Sequence, residues 1–195
     1  MKIKGTEVGT GRPLICVPVL EKTKEEVIKE VEYLVKSDAD MIEWRLDAFE
    51  HYTDYNEVRE ILQQIAPLLK KKLFLYTFRT AKQGGVVSVD RETLNDLHDL
   101  AAESECVDLI DLEFFEEEHA AKRIREIQKK GKKVVASHQH LSGPPYGYGV
   151  RAGCHQVPRS VHSRRQLSRT YLRQEVRQDG LHHQAGGSAY ARPRS

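Results

Sequence analysis

Short apolar runs alternate with longer amphipathic stretches through the first 140 residues, and the change of period predicts strands and helices in turn. Leu14-Ile15-Cys16-Val17-Pro18-Val19 reads as a strand. Thr23 to Lys36 comes next as a helix, with Thr23 as N-cap ahead of Glu25 and Glu26 and with Val27, Val31 and Leu34 on one face. Met41 to Leu46 is the second strand, Asn56 to Leu69 a helix striped by Val58, Ile61, Leu62 and Ile65, and Leu73 to Arg79 the third strand. Gly84-Gly85 breaks the chain. Asp90 then caps a helix running to Ala102, Val107 to Phe114 is a fourth strand, Glu118 to Lys130 a helix, and Val134 to Ser137 a fifth strand. A strand–helix rhythm of roughly thirty residues per unit predicts an α/β class with a parallel sheet. Met1 to Pro13, with Gly5, Gly9 and Gly11, suits a small hairpin or loop across one end of that sheet.

After His140 the rhythm stops. Leu141 to Gly149 holds two adjacent prolines, three glycines and two tyrosines, and residues 150–195 are rich in Arg, Ser, Gln, His and Gly; only Arg164 to Gln178 has the pattern of a helix. Such a composition buries too little apolar surface to offset its ordering entropy, which predicts a structured unit over residues 1–140 and a basic, poorly packed tail over 141–195. Charge divides at the same place. The net charge of +2 combines 22 Lys+Arg against 27 Asp+Glu up to His140, a balance of −5, with nine Arg, no Lys and only Glu175 and Asp179 beyond it, a balance of +7.

No window approaches the roughly 18 apolar residues of a membrane span, and the start, Met1-Lys2-Ile3-Lys4-Gly5, lacks a signal peptide's apolar stretch; the expected location is the cytoplasm. Cys16, Cys106 and Cys154 are odd in number and far apart, which argues against disulfides and a cysteine zinc site. Cys154-His155 with His162 and His182-His183 lacks the second close pair that a zinc site needs. The tail arginines support at most non-specific contact with nucleic acid, since no recognition motif or interleaved aromatics accompany them.

The candidate chemistry lies at strand ends. Strands covered by helices should be almost wholly apolar, yet Glu43-Trp44-Arg45 interrupts the second strand, and a ligand at the carboxyl ends of parallel strands is the usual reason. The alternative is a structural ion pair. Arg79 closes the third strand, Asp111 and Glu113 the fourth, Ser137 and His138 the fifth. Side-chain alternation puts Glu43 and Arg45 on one face and turns Trp44 away. Two arginines with an acid and a histidine suit an anionic, hydroxyl-rich small molecule. Tyr76, Phe78, Phe114 and Phe115 are expected in the core, Lys82 as a solvated charge, and the runs Lys70-Lys71-Lys72 and Lys129-Lys130 with Lys132-Lys133 as solvated helix ends.

Ile15-Cys16-Val17-Pro18, Glu43-Trp44-Arg45 with Asp47, Thr77-Phe78-Arg79-Thr80-Ala81-Lys82 with Gly84-Gly85, Asp108-Leu109-Ile110-Asp111-Leu112-Glu113 and Val135-Ala136-Ser137-His138 together resemble the type I 3-dehydroquinate dehydratases of the shikimate pathway. The resemblance covers residues 1–140. It implies a (β/α)8 TIM barrel of which this chain supplies the first five units, and a lyase that dehydrates 3-dehydroquinate to 3-dehydroshikimate without metal or cofactor. In that family a lysine forms a Schiff base with the substrate ketone, making an electron sink, and a histidine moves the proton. By motif match Glu43, Arg45 and Arg79 would hold substrate hydroxyls and carboxylate. A homodimer is the family's usual assembly.

Two departures stand against turnover. The family's histidine motif reads Ser, a variable residue, then His; here Gln139 falls at the histidine position, leaving His138 as the catalytic candidate and His140 as its rival, each one residue off and so on the opposite face of a regular strand. The family's lysine lies on the sixth strand, whereas the last lysine here is Lys133, and arginine cannot replace it because a guanidinium keeps its proton. The chain is therefore expected to be inactive, and unstable or aggregating on its own because a barrel stopped after five strands leaves two edges. The tail reads as a frame-slipped translation of the gene's second half; a lysine-bearing strand in another reading frame of the same DNA would support this, and its absence would sink it. The alternative function is a catalytically dead fragment whose Arg-rich tail makes non-specific nucleic-acid contacts.

Overall fold

The computed structural model describes residues 1–139, and its βα units begin where the chain supplies caps. Thr23 opens α1 (Lys24–Leu34) with a capping box: its hydroxyl accepts the Glu26 N–H while the Glu26 carboxylate accepts the Thr23 N–H. Asp54 caps α2 (Tyr55–Ile65) by accepting the N–H groups of Asn56 and Glu57, and Asp90 caps α3 (Arg91–Glu103) by accepting that of Thr93. A fourth helix, α4, runs over Ala120–Lys129. α2 stops four residues short of the Leu69 read from the sequence: Ala66 still has helical angles, but Pro67 has no N–H to continue the ladder.

The strands are β1 (Lys2–Ile3), β2 (Thr6–Glu7), β3 (Cys16–Val19), β4 (Met41–Arg45), β5 (Leu73–Thr77), β6 (Leu109–Glu113) and β7 (Lys133–Ser137). Among the described residues, β3 to β7 form one parallel sheet in chain order, and β1 pairs antiparallel with β2 as a separate hairpin. Among the described residues the five parallel strands are joined by four crossover helices, which gives four complete βα units and a fifth strand.

Alternation along the strands builds two apolar layers. Val19, Trp44, Phe74, Tyr76 and Ile110 pack against Val27, Val31, Ile61, Leu62, Ile65, Leu97 and Ile127 from the helices, each such buried side chain contributing roughly 1.5–3 kcal/mol. On the other face Cys16, Met41, Leu73, Leu75 and Leu109 form a second cluster that the hairpin covers through Ile3 and Val8. Lys4 fastens the hairpin there: its ammonium donates to the Leu69 and Lys72 carbonyls at 3.2 and 3.3 Å and to Asp108 Oδ2 at 2.8 Å. Asp108 also accepts the Phe74 N–H at 2.9 Å. The expected covering of the amino-terminal end of the sheet by residues 1–13 is present.

Three local expectations change. Phe114 and Phe115 are not core: they leave β6 in a turn and remain 39% and 72% exposed, while Tyr76 and Phe78 are buried as expected. Lys72 is not simply solvated, since its ammonium donates to the Ser37 and Ala39 carbonyls at 2.8 and 2.7 Å. Lys132 likewise donates to the Ser104 carbonyl. No helix among the described residues is long and apolar enough to cross a membrane. The tail's candidate metal cluster, its arginines and His140 lie outside the described residues.

Candidate active site

Above the apolar cluster that the hairpin covers, the same face of the sheet turns polar toward the carboxyl ends of the strands. Glu43 stands beside Leu75, Arg45 beside Thr77, and Glu113 beside Ser137 in the strand register. Trp44 points the other way, buried edge-on against Phe49 and Tyr76 with centroids 5.9 and 6.0 Å away. The polar residues that interrupt otherwise apolar strands thus collect at one mouth, where ligands of parallel α/β folds bind.

Two carboxylate systems order this mouth. Asp47, buried in the short 3-10 turn Leu46–Ala48, accepts two parallel bonds from Arg45, from Nε at 2.7 Å and from Nη2 at 2.8 Å. It also accepts the Arg79 and Val86 N–H groups, both at 3.2 Å. The Arg79 N–H thus serves a side chain rather than the sheet ladder, which is why β5 ends at Thr77 and not at Arg79 as the apolar run predicts. The second system surrounds the Arg79 guanidinium: Nη2 reaches Asp111 Oδ2 at 2.8 Å, and Nη1 donates to Ser137 Oγ at 2.9 Å and Glu113 Oε1 at 3.3 Å. Ser137 passes its own hydroxyl hydrogen to Asp111 at 2.9 Å, and Thr80 donates to Glu113 through its N–H at 2.9 Å and its hydroxyl at 2.7 Å.

The charges are unevenly solvated. Burial pushes the Asp111 carboxyl up to about 6, overriding the pull of Arg79 and of the Ser137 hydroxyl, with the like charges of Glu43 and Glu113 adding to the rise. Burial also works against the Arg45 charge, but the Asp47 carboxylate, helped by Glu43 and Asp111, outweighs it and holds the guanidinium above its ordinary value. Glu43 thereby faces Arg45, Asp111 and the buried thiol of Cys16, which burial and the Glu43 charge push well up.

The loop after Arg79 needs its glycines. Gly84 takes a left-handed φ of 84°, and a Cβ on Gly85 would lie 1.7 Å from the Arg79 carbonyl oxygen. The Gly85 N–H donates to the Thr80 carbonyl at 2.8 Å, folding the loop back so that Val86 reaches Asp47. Gln83, 4% exposed, donates to Glu116 at 3.1 Å and accepts the Gln139 N–H. Lys82 points outward with its side chain 79% exposed, 3.7 Å from Glu116, as a solvated charge should.

Glu43, Arg45 and Arg79 therefore stand at one mouth with Asp47, Asp111, Glu113 and Ser137. His138 follows the end of β7, and its exposed ring packs edge-on against Phe115 at 4.8 Å. The bracing roles of Asp47, Thr80 and Gln83 are not legible in the sequence. An acid two residues after a strand-end arginine is the available signal for Asp47; Thr80 and Gln83 carry none, because their partners Glu113, Glu116 and Gln139 lie 33 to 56 residues away along the chain.

A parallel βα sheet with polar and charged residues gathered at the carboxyl ends of its strands is the arrangement of the α/β-barrel class. The model of the type I 3-dehydroquinase family matches residues 15–150, and this chain belongs to that family. It is 32% identical over 140 residues to the 3-dehydroquinate dehydratase of Bacillus subtilis, covering 72% of this chain and 55% of that protein. Its identity to the 3-dehydroquinate dehydratase of Listeria monocytogenes serotype 4a is 38% over 144 residues, 73% of this chain and 57% of that one. The solved 3-dehydroquinate dehydratase of Enterococcus faecalis superposes with a TM-score of 0.70 at 33% identity, over 74% of this chain and 61% of that chain. The type I enzyme of Clostridium difficile, solved with covalently modified comenic acid, gives 0.65 at 34% identity, over 69% of this chain and 53% of that one. The chain spans little more than half the length of these curated relatives.

Proposed function

We propose that this chain carries the substrate-gripping side of a type I 3-dehydroquinate dehydratase and that residues 1–195 bind 3-dehydroquinate without dehydrating it. The observation that carries the reading is that both guanidiniums at the carboxyl ends of adjacent strands are held in place, Arg45 by the buried Asp47 carboxylate, which also accepts the Arg79 backbone N–H, and Arg79 by Asp111, Glu113 and Ser137. Fixed guanidiniums take a carboxylate or vicinal hydroxyls in bidentate fashion with little ordering cost, and Glu43 beside them suits a substrate hydroxyl. His138 takes the proton-transfer role only if its ring leaves Phe115. Family chemistry also needs an amine to accept the substrate ketone, and no lysine follows Lys133. Groups that act as a unit lose nearly all their rate advantage when one is missing.

The test is to titrate purified chain with 3-dehydroquinate by calorimetry, follow the conjugated product by absorbance, and treat the mixture with borohydride before mass spectrometry. Binding with no absorbance rise and no adduct is the expected result. Turnover, or a reduced adduct on Lys82 or any other lysine, would overturn the inactivity; no heat of binding with the parent, with R45A indistinguishable from it, would overturn the substrate site.

A further inference from the structure

We infer that Asp111 governs anion binding at this mouth: a carboxylate ligand is taken beside Arg79 only together with one proton from solvent, which settles on Asp111 Oδ2. The inference rests on the proposed substrate reading and adds to it a condition on the charge of the site. Among the described residues the mouth gathers four carboxylates, Glu43, Asp47, Asp111 and Glu113, around two guanidiniums, Arg45 and Arg79. Asp47, Arg79, Asp111 and Glu113 are all buried. An anion entering unaccompanied adds a further negative charge where uncompensated charge is most costly. Uptake of one proton by one of the four carboxylates leaves the total unchanged.

The bonds each carboxylate makes single out the one that yields. Asp47 is held by Arg45 Nε and Nη2 and by the Arg79 and Val86 N–H groups. Glu113 accepts the Thr80 N–H at 2.9 Å and the Thr80 hydroxyl at 2.7 Å, besides the bond from Arg79 Nη1 at 3.3 Å. Glu43 is only half-buried and keeps some hydration. Asp111 has Arg79 Nη2 at 2.8 Å and one hydroxyl donor, Ser137, at 2.9 Å, both directed at Oδ2. Its charge therefore leans on the guanidinium that the ligand would claim. The charged and polar groups facing it come from every neighbouring strand: Glu43 and Arg45 from β4, Arg79 from beyond β5, Glu113 from β6 itself and Ser137 from β7.

This carboxyl is already close to the exchange. Burial, with Glu43 and Glu113 beside it, lifts Asp111 to about 6 against the pull of Arg79 and Ser137. A ligand carboxylate on Arg79 weakens that pull and adds a like charge, so Asp111 is harder still to ionise in the complex. A group that holds its proton more tightly in the complex favours binding at low pH: affinity is complete below about pH 6 and falls as pH rises above it, approaching a loss of about tenfold per pH unit. One O–H bond forms at Oδ2, and no other bond is made or broken.

The experiment titrates the full chain with 3-dehydroquinate by calorimetry at about pH 6, 7 and 8, each in two buffers of different ionisation heat, which counts the protons bound with the ligand. Uptake of about one proton at pH 7 is expected, with the apparent Kd rising by about five- to tenfold from pH 7 to pH 8. Asp111→Asn keeps the shape without the charge and should lose both the uptake and the pH dependence. Where that variant does not fold, carboxyl-carbon NMR of aspartate-labelled parent reads Asp111 directly, and a titration that the ligand does not move overturns the inference. Binding that takes up no proton and is equal at all three pH values overturns the coupling and leaves the substrate reading standing; uptake that persists in Asp111→Asn overturns the assignment to Asp111. If 3-dehydroquinate does not bind, formate at millimolar concentration takes its place as the smallest carboxylate. Formate binding with the same uptake sustains the coupling and sinks the substrate reading, and binding of neither anion overturns both.

Discussion

Asp111 and Arg79 lie 2.8 Å apart at the mouth of the sheet, yet the Asp111 carboxyl is harder to ionise than a free one, because its burial outweighs the guanidinium beside it. Ion pairs usually lower an acid's pKa. Here burial, with the like charges of Glu43 and Glu113 beside it, raises the carboxyl by more than Arg79 and the Ser137 hydroxyl lower it.

The first prediction comes from the sign of that shift. A carboxyl raised in the folded state to about 6 from 3.8 binds its proton more tightly folded than unfolded, so its contribution to stability is complete below about pH 4 and is lost as pH rises through 6. Asp111→Asn should gain on the parent by about 2 kcal/mol between pH 4.5 and pH 7.5. His98 works in the opposite sense: burial, aided by Arg123, lowers it to about 4, so it costs stability as pH falls through the range between 6.5 and 4. The two slopes oppose each other in the parent, which is why urea midpoints of the single variants at both pH values are the measurement; a gap for Asp111→Asn that does not change with pH refutes the assignment.

Asp47→Asn should cost about 3 kcal/mol, near the low end for breaking a buried pair, because the Arg45 side chain keeps 21% of its exposure and recovers some hydration. The double variant with Arg45→Met should be less damaging than the sum of the singles, since the unpaired guanidinium is then removed too. Chemical denaturation of all four proteins reads the coupling directly, and strict additivity would show that the two side chains do not depend on each other.

Gly85→Ala is expected to lower stability by about 1–3 kcal/mol, because its methyl would enter the space of the Arg79 carbonyl 1.7 Å away and the backbone must move. The same movement pulls Val86 from Asp47. Affinity for 3-dehydroquinate should fall along with stability, although Gly85 has no side chain to touch a ligand; retained affinity in a folded variant would separate the loop from the site.

Arg79→Lys keeps the charge but loses the fork that reaches Asp111, Glu113 and Ser137 together. Affinity for 3-dehydroquinate should drop about tenfold or more by calorimetry, the scale set by loss of one charge-assisted hydrogen bond. Equal affinity would assign Arg79 to scaffolding alone.

The strands and helices are legible because each carries its period and its cap within its own residues. Thr23, Asp54 and Asp90 mark helix starts locally, and β4, β5 and β6 are bounded by polar residues. Boundaries fail where a distant side chain intervenes, as when Asp47 draws the Arg79 N–H from the ladder. The site is legible in part: Glu43, Arg45, Arg79, Asp111, Glu113 and Ser137 announce themselves as polar interruptions of apolar runs. What they bind does not. The sharing of Arg79 among β6 and β7, and the meeting of Thr80 with Glu113, depend on strand register, which the sequence does not print. Phe114 and Phe115 mislead for the converse reason, since two aromatics after an apolar strand look like core until the turn that carries them outward is known.

Because strand order follows chain order from β3 to β7, every ladder joins segments that leave the ribosome one after the other. Each connection between successive partners is a single crossover helix with its loops, so the sheet can grow from its amino-terminal side during synthesis. The Lys4–Asp108 bond is the exception, spanning 104 residues. The hairpin can settle on Cys16, Met41 and Leu73 and reach the Leu69 and Lys72 carbonyls once β5 has emerged, but its last fastening, to Asp108, waits for the chain just before β6.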